Sequence, residues 1–295
     1  MDDIPNRDPR GRDVIHRDGG NGLRRRVALW AVLLVMTAAL RPAAAQDQRP
    51  PTPGTATPEP APPAGTDPAL WERLRQIDAR TAEHKDLLAD FEQRRFTALL
   101  RKPVVSRGRV RVLGQRMRWD TAAPAPTVMA VDEREVRMYY PQQKTLEVYA
   151  IDQRLAALAA SPLPRLDVLR GYFTFQQIPA KQLLPGDPGG PSKKNDPAGQ
   201  GDGDGDRADP AADDARFVAV RMTPTEPSLR EHVEAVAVLL DARAGYMLAF
   251  RVTDADGEET VIRFDNIRVN AGLAERDVTL QVPKGTKVVR PMENL

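Results

Sequence analysis

Apolar positions along this chain change period three times, from helical to strand-like, briefly back, and to strand-like again. Leu70, Leu74, Ile77 and Thr81 recur at helical spacing with Trp71 beside them. They follow Thr66-Asp67-Pro68, a capping side chain with proline at the first helical position. The pattern predicts an amphipathic helix at about 67–83. From Ala89 the period is two: Ala89, Phe91 and Gln93 alternate with Asp90, Glu92 and Arg94. Over 108–119, Val110, Val112, Met117 and Trp119 face one way and Arg109, Arg111, Arg116 and Arg118 the other. Gly114-Gln115 marks a bulge or turn between the two halves.

Further alternating runs lie at 127–131, 135–140 and 144–149, then at 217–222, 233–241, 246–253, 259–269 and 277–282. The later ones are separated by turn chemistry at Asp241 to Gly245, Asp254 to Gly257 and Asn270-Ala271-Gly272. Strands joined by turns this short must be antiparallel. Between the two strand groups, 152–160 and 165–172 return to a helical pattern, split by Ser161-Pro162-Leu163-Pro164. The expected fold class is strand-dominated α+β: one antiparallel sheet of about 8–11 strands, curled over an N-terminal helix and short central helices.

Composition narrows where that fold sits. The chain has 295 residues, with 27 Pro and 20 Gly concentrated in two stretches. Residues 46–66 are Pro/Ala-rich and read as a semi-extended linker. Residues 185–215 read as a disordered Gly/Asp-rich loop that interrupts a domain spanning 67–290. In that loop Asp202, Asp204 and Asp206 alternate with Gly, which brushes against a calcium-loop spacing. Arg207 stands where such a loop needs Gly, and Asp213 where it needs a bidentate Glu, so a solvated acidic loop is expected.

Residues 1–45 read as a polar extension followed by a signal peptide. Arg24 to Arg26 form the basic region, Val27 to Leu40 the apolar run, and Ala43-Ala44-Ala45 the small-residue cleavage site. Export to the periplasm is expected; the alternative is an uncleaved signal that anchors the chain to the inner membrane. Eight of the 43 basic and five of the 41 acidic residues lie in this leader, leaving the rest near neutral. That balance gives no electrostatic footprint for nucleic acid.

Catalytic chemistry is hard to assemble from what remains. There is no Cys, which excludes disulfides, thiolate metal sites and Cys nucleophiles. His occurs three times, and outside the leader His84 and His232 have no partner at ligand spacing, so both are expected on the solvated surface. No nucleophile elbow, zinc helix, P-loop or dinucleotide fingerprint is present. The expectation is a non-enzyme with no cofactor and no metal.

One ordered set of residues is more specific. Phe91-x-Gln93 is followed by Gly108 opening a strand that closes in Met117-Arg118-Trp119. Val131-Asp132 and Val136-Arg137-Met138-Tyr139-Tyr140-Pro141 come next. Met222-Thr223-Pro224, the run from Gly257 to Ile267 with Asn266, and Val282-Pro283-Lys284-Gly285 complete the set. In order and spacing this resembles the LolA family of periplasmic outer-membrane lipoprotein carriers. The chain departs from the family in two places. Val112-Leu113-Gly114-Gln115-Arg116 offers no match to the Arg-Pro pair whose Arg tethers the family's lid, and Glu133 stands where Gly is usual.

The resemblance implies an open, curved antiparallel half-barrel lidded by helices, with an apolar cavity for lipoprotein acyl chains. Candidate lining residues on the sheet are Phe91, Met117, Trp119, Met138, Val148, Leu248, Phe250 and Phe264; from the lid they are Leu155, Leu158, Leu166 and Leu169. For any one of them ordinary core is an equal alternative. The implied partners are lipoprotein or lipid acyl chains, an inner-membrane exporter that loads the carrier and an outer-membrane acceptor that unloads it, with the carrier a monomer. A domain of the same shape that binds protein or senses lipoproteins, without a transport role, is the other reading.

Overall fold

The computed structural model describes residues 61–122, 124–150, 161–183 and 216–291. The expected leader, most of the first linker, the helix at 152–160 and the acidic loop fall outside these residues.

Helix α1 (Pro68–Thr81) starts where its sequence predicts. The Asp67 carboxylate accepts the Leu70 N–H at 2.9 Å, and Pro68 occupies the first turn. Leu70, Trp71, Leu74, Ile77 and Thr81 form its buried stripe.

Two meanders follow and share one sheet. The first comprises β1 (Asp86–Phe96), β2 (Val104–Leu113), β3 (Arg116–Thr121), β4 (Thr127–Val131), β5 (Glu135–Tyr140) and β6 (Thr145–Ala150). A short helix, α2 (Leu166–Leu169), leads into β7 (Phe173–Ile178) and a single 3-10 turn at Ala180–Gln182. The second meander comprises β8 (Phe217–Pro224), α3 (Pro227–Arg230), β9 (Val233–Asp241), β10 (Tyr246–Asp254) and β11 (Glu259–Val269). Helix α4 (Glu275–Val278) and β12 (Lys287–Val289) close the chain. Spatial order is β12-β6-β5-β4-β3-β2-β1-β11-β10-β9-β8-β7, an open sheet of twelve strands among the described residues. The central pairing of β1 with β11 joins the two meanders, running from Leu87↔Val269 to Phe96↔Glu259 with one bulge between Leu88 and Asp90. Every pairing is antiparallel except that of β12 with β6.

The strand-dominated α+β class is as expected, with three local differences. Twelve strands form, one more than the upper expectation, because Phe173–Ile178 and Lys287–Val289 are strands while one expected run is not. In the former, Phe173 and Phe175 face inward and Gln176 is exposed. The central helix shrinks from 165–172 to the four residues Leu166–Leu169. Residues 277–282 are not a strand. The α4 turn ends at Val278, and Leu280 and Val282 pack on the outer face of β4 to β6 without entering a ladder.

Alternation divides the side chains between two faces. The inner face and α1, α2 and α3 share one large apolar cluster, to which β1 to β11 all contribute at least one side chain. The outer face carries two small clusters. One gathers Ala130, Tyr139, Leu146, Val148 and Leu280; the other gathers Leu183, Ala219, Leu239 and Ala249. A chain segment crosses each of them.

Candidate functional site: the inner face of the sheet

Six of the predicted lining residues meet on the inner face: Phe91, Met117, Trp119, Met138, Phe250 and Phe264, all buried. They come from β1, β3, β5, β10 and β11, so strand pairing across the sheet brings together residues that are up to 173 positions apart in sequence. Their rings form a chain of tilted contacts. Phe91 and Trp119 are 4.6 Å apart, Trp119 and Phe264 5.7 Å, and Phe264 and Phe250 6.1 Å between centroids. The Trp119 Nε1–H donates to Met117 Sδ at 2.9 Å, which satisfies the indole inside an otherwise apolar surface.

Leu166 and Leu169 on α2 join this cluster from the cover. Leu155 and Leu158 lie outside the described residues. Val148 and Leu248 sit on the outer face instead. In β6 the inward positions are Glu147 and Tyr149, while Leu146 and Val148 pack against Leu280 of the crossing C-terminal segment. In β10 the register shifts between Met247 and Ala249, so Met247 and Phe250 both face inward and Leu248 packs with Leu239 and Ala249. Strict alternation, counted back from Phe250, puts Leu248 on the wrong side.

The cover is held at discrete polar points. At the C-terminal end of α1, the Thr81 hydroxyl donates to the Gly245 carbonyl at 2.7 Å, and the Arg80 guanidinium donates to the Ala242 carbonyl. His84 Nε2–H donates to the Ala244 carbonyl at 2.7 Å. His84 is therefore half-buried against the β9–β10 turn, not solvated, and His232 is half-buried too. The turn is shaped by Asp241, which is fully buried. One of its oxygens accepts the Arg243 and Ala244 N–H groups at 3.0 Å, and the other accepts the Arg216 guanidinium. At the other end of the cover, Thr66 Oγ1 accepts the Phe175 N–H at 3.1 Å.

Asp78 joins the two helices. Its carboxylate accepts the backbone N–H groups of Leu166 (3.0 Å) and Asp167 (2.6 Å), the first two residues of α2. Burial is the largest influence on this carboxyl and raises it to about 6, against the lowering effect of those two N–H groups.

A second polar feature interrupts the apolar face. Glu147 is buried on β6, and one carboxylate oxygen accepts the hydroxyls of Tyr140 (3.0 Å) and Tyr149 (2.9 Å). Neither Asp78 nor Glu147 is legible as special in sequence. The signal that would have found the second is Glu147 and Tyr149 two apart on one strand.

On the outer face the arginine row is neutralised strand by strand. Arg107 pairs with Glu92, Arg109 with Asp90, and Arg111 and Arg118 with Asp120. Hydrogen bonds from Asn266 and then Arg109 hold the Asp90 carboxyl below its usual range. Burial pushes the Glu92 carboxyl up, but Arg94 and Arg107 together more than offset it and leave it lowered. Among the described residues no group of three or more His, Asp or Glu side chains could hold a metal ion.

No protein-family profile matches the sequence, and none of the curated proteins does. Several solved structures show a distant likeness. An uncharacterised conserved protein from Thermus thermophilus is 13% identical, with a TM-score of 0.41 over 75% of this chain and 99% of that one. A LolA superfamily protein from Nitrosomonas europaea is 11% identical, with a TM-score of 0.34 over 71% of this chain and 97% of that one. MucB in its complex with MucA from Pseudomonas aeruginosa is 14% identical, with a TM-score of 0.36. That match covers 71% of this chain and 60% of that chain, so this chain spans under two thirds of that neighbour's length.

Proposed function

We propose that this chain is a periplasmic carrier that holds the acyl chains of a lipoprotein, or of a related lipid, against the inner face of its sheet and moves them toward the outer membrane. The observation that carries the reading is the meeting of Phe91, Met117, Trp119, Met138, Phe250 and Phe264 on one apolar face under α1 and α2. All of these except Phe250 lie within the ordered motif set that resembles the lipoprotein carriers. An acyl chain moved through water exposes each CH₂ at about 0.8 kcal/mol, so a shuttle must offer an apolar surface of comparable area. Met117 and Met138 add side chains that re-pack around a guest at small cost.

The cover suits such a task. It is fastened to the sheet and to itself by side-chain and backbone hydrogen bonds at Asp78, Arg80, Thr81 and His84. Such bonds are individually worth about 1 kcal/mol and can be exchanged for bonds to water. Loading would separate the cover from the sheet and seat the acyl chain between Leu166 and Leu169 on one side and the aromatic row on the other. An exporter and an acceptor membrane protein are the partners this reading requires.

A second reading has its own support. The ring contacts from Phe91 to Phe250 fill the inner face with the chain's own side chains. A domain that binds an envelope protein or senses lipoproteins, without transporting them, needs no emptier interior. The two separate in a titration of delipidated protein with a fluorescent fatty acid or lipopeptide. A carrier takes up one probe per chain with loss of the probe's water-exposed emission, and Phe264→Asp abolishes uptake. A folded wild-type chain that takes up no probe ends the carrier reading.

A further inference from the structure

The described residues leave five large apolar side chains exposed, and four of them share one hairpin tip: Leu99 (88%), Leu100 (53%), Val104 (41%) and Val105 (36%). The tip overhangs β3 on one side. β1 and β2 pair up to Arg95↔Val104, but β2 pairs with β3 only from Gly108↔Thr121, and β11 begins at Glu259 opposite Phe96. Residues 97–103 therefore extend past the last paired rung, between a β1 that β11 accompanies to Phe96 and a β2 that β3 leaves bare from Val104 to Arg107. A monomer gains nothing by spending two adjacent leucines there, because each exposes apolar area that α1 or the outer face could have buried.

The charges around these leucines indicate the occupant. No acidic residue occurs from Gln93 to Ser106, while Arg101 and Lys102 follow the leucines directly and are exposed. Within the sheet the arginines nearest the tip are paired, Arg94 with Glu92 and Arg95 with Glu258 of the adjoining β10–β11 turn. An apolar point followed by two exposed cations is an arrangement that enters the boundary between acyl chains and anionic headgroups. A protein groove would be served equally by leucines without the flanking cations. Among the described residues no helix is long and apolar enough to cross a membrane.

We propose that the β1–β2 hairpin tip docks on an anionic lipid bilayer, with Leu99 and Leu100 inserted at the headgroup boundary and Arg101 and Lys102 against lipid phosphates. Docking on the tip leaves the inner face and its cover clear of the bilayer. The proposal does not depend on what that face binds.

The test uses the cysteine-free full chain, in which one introduced thiol takes one label. An environment-sensitive fluorophore is placed at Ala98→Cys in the tip, or at Gln115→Cys in the β2–β3 turn, about 30 Å away at the far end of β2. With vesicles of phosphatidylethanolamine and phosphatidylglycerol, emission at 98 should shift to the blue and be quenched by headgroup-proximal spin-labelled lipid, while 115 stays unchanged. Leu99→Ser/Leu100→Ser should abolish the shift, and Arg101→Ser/Lys102→Ser should weaken it about tenfold or more on anionic vesicles. Three results each overturn the proposal. One is a label at 98 that stays in water while the protein floats with vesicles. Another is phosphatidylcholine working as well as the anionic mixture. The third is shielding of the label without vesicles as protein concentration rises, which would make the tip a contact between copies.

Discussion

Phe91 and Gly108 lie directly opposite each other on β1 and β2, and the Phe91 ring occupies the space over the missing side chain. A Cβ on Gly108 would come 2.7 Å from Phe91 Cζ and 2.0 Å from the Asp120 carbonyl oxygen on β3. The ring can lie over the glycine and still meet Trp119 in a tilted contact, 4.6 Å between centroids. Three residues of the motif set, Phe91, Gly108 and Trp119, thus form one packing unit across three adjacent strands.

Gly108→Ala should therefore be costly. The ring could swing aside, but the Asp120 carbonyl belongs to the β3 backbone and can retreat only if β2 and β3 separate locally. The expected loss is at least about 2 kcal/mol of unfolding free energy in a denaturant titration. Phe91→Leu in the same chain should not restore it, because the backbone clash remains. A midpoint unchanged by Gly108→Ala would show that β2 has slack there.

Asp241 should matter more than any other turn residue, because its buried carboxylate holds the turn on which α1 ends. Asp241→Ala leaves the Arg243 and Ala244 N–H groups without their acceptor and removes the carboxylate partner of Arg216. A loss of about 3 kcal/mol is expected. Hydrogen exchange should show the amides of α1 losing protection together with those of 241–247. If only the turn exchanges faster, the helix is held by its apolar stripe alone.

Much of this architecture is legible in the amino-acid order alone. α1, β4, β5, β9 and β11 fall within a residue or two of the bounds their periodicity gives, since each pairs a clean repeat with turn or capping chemistry at its ends. The failures are all places where tertiary partners decide. β7 begins beyond the turn at Arg170-Gly171-Tyr172, where its Phe173-Thr174-Phe175 alternation is too short to stand alone, and pairing with β8 makes it a strand. Leu248 is turned outward by a bulge that no neighbouring Gly or Pro announces. Val148 is apolar because the C-terminal segment crosses over it, more than 130 residues later. The candidate site is half legible for the same reason: alternation identifies the aromatic row but not the polar groups, Asp78 and Glu147, whose partners decide their role.

Glu147 tests whether that polar interruption is structural. Its carboxylate sits on an inner apolar face and is stabilised by the Tyr140 and Tyr149 hydroxyls. Tyr149→Phe removes one of these donors at a fully buried position and should cost about 2 kcal/mol, the range for a hydrogen bond to a charged acceptor. Combining it with Glu147→Gln should cost less than the two separate losses added, since the pair shares one interaction. Strict additivity in that double-mutant cycle would mean that the hydroxyl and the carboxylate do not depend on each other.

Asp78 gives the cover a pH dependence whose sign follows from its burial. In the folded chain its carboxyl takes up a proton near pH 6, whereas in the unfolded chain it does so near 3.8. Between those values the folded state binds more protons, so this group's contribution to stability is full below about 3.8 and is lost as the pH rises through about 6. Asp78→Asn keeps the size of the side chain and removes the titration. Relative to that variant, the wild type should gain about 1 kcal/mol when the pH falls from about 7.5 to about 5, measured by urea unfolding at each pH. The facing charges, Arg165 and Asp167, oppose each other and are the smallest influences on the group, so the direction stands on burial. The ionised form meanwhile holds both α2 amides, so raising the pH strains the junction of the two helices without removing its hydrogen bonds. A wild type that loses stability relative to Asp78→Asn on acidification would mean that the two amides dominate and that the carboxylate is the preferred state at that junction.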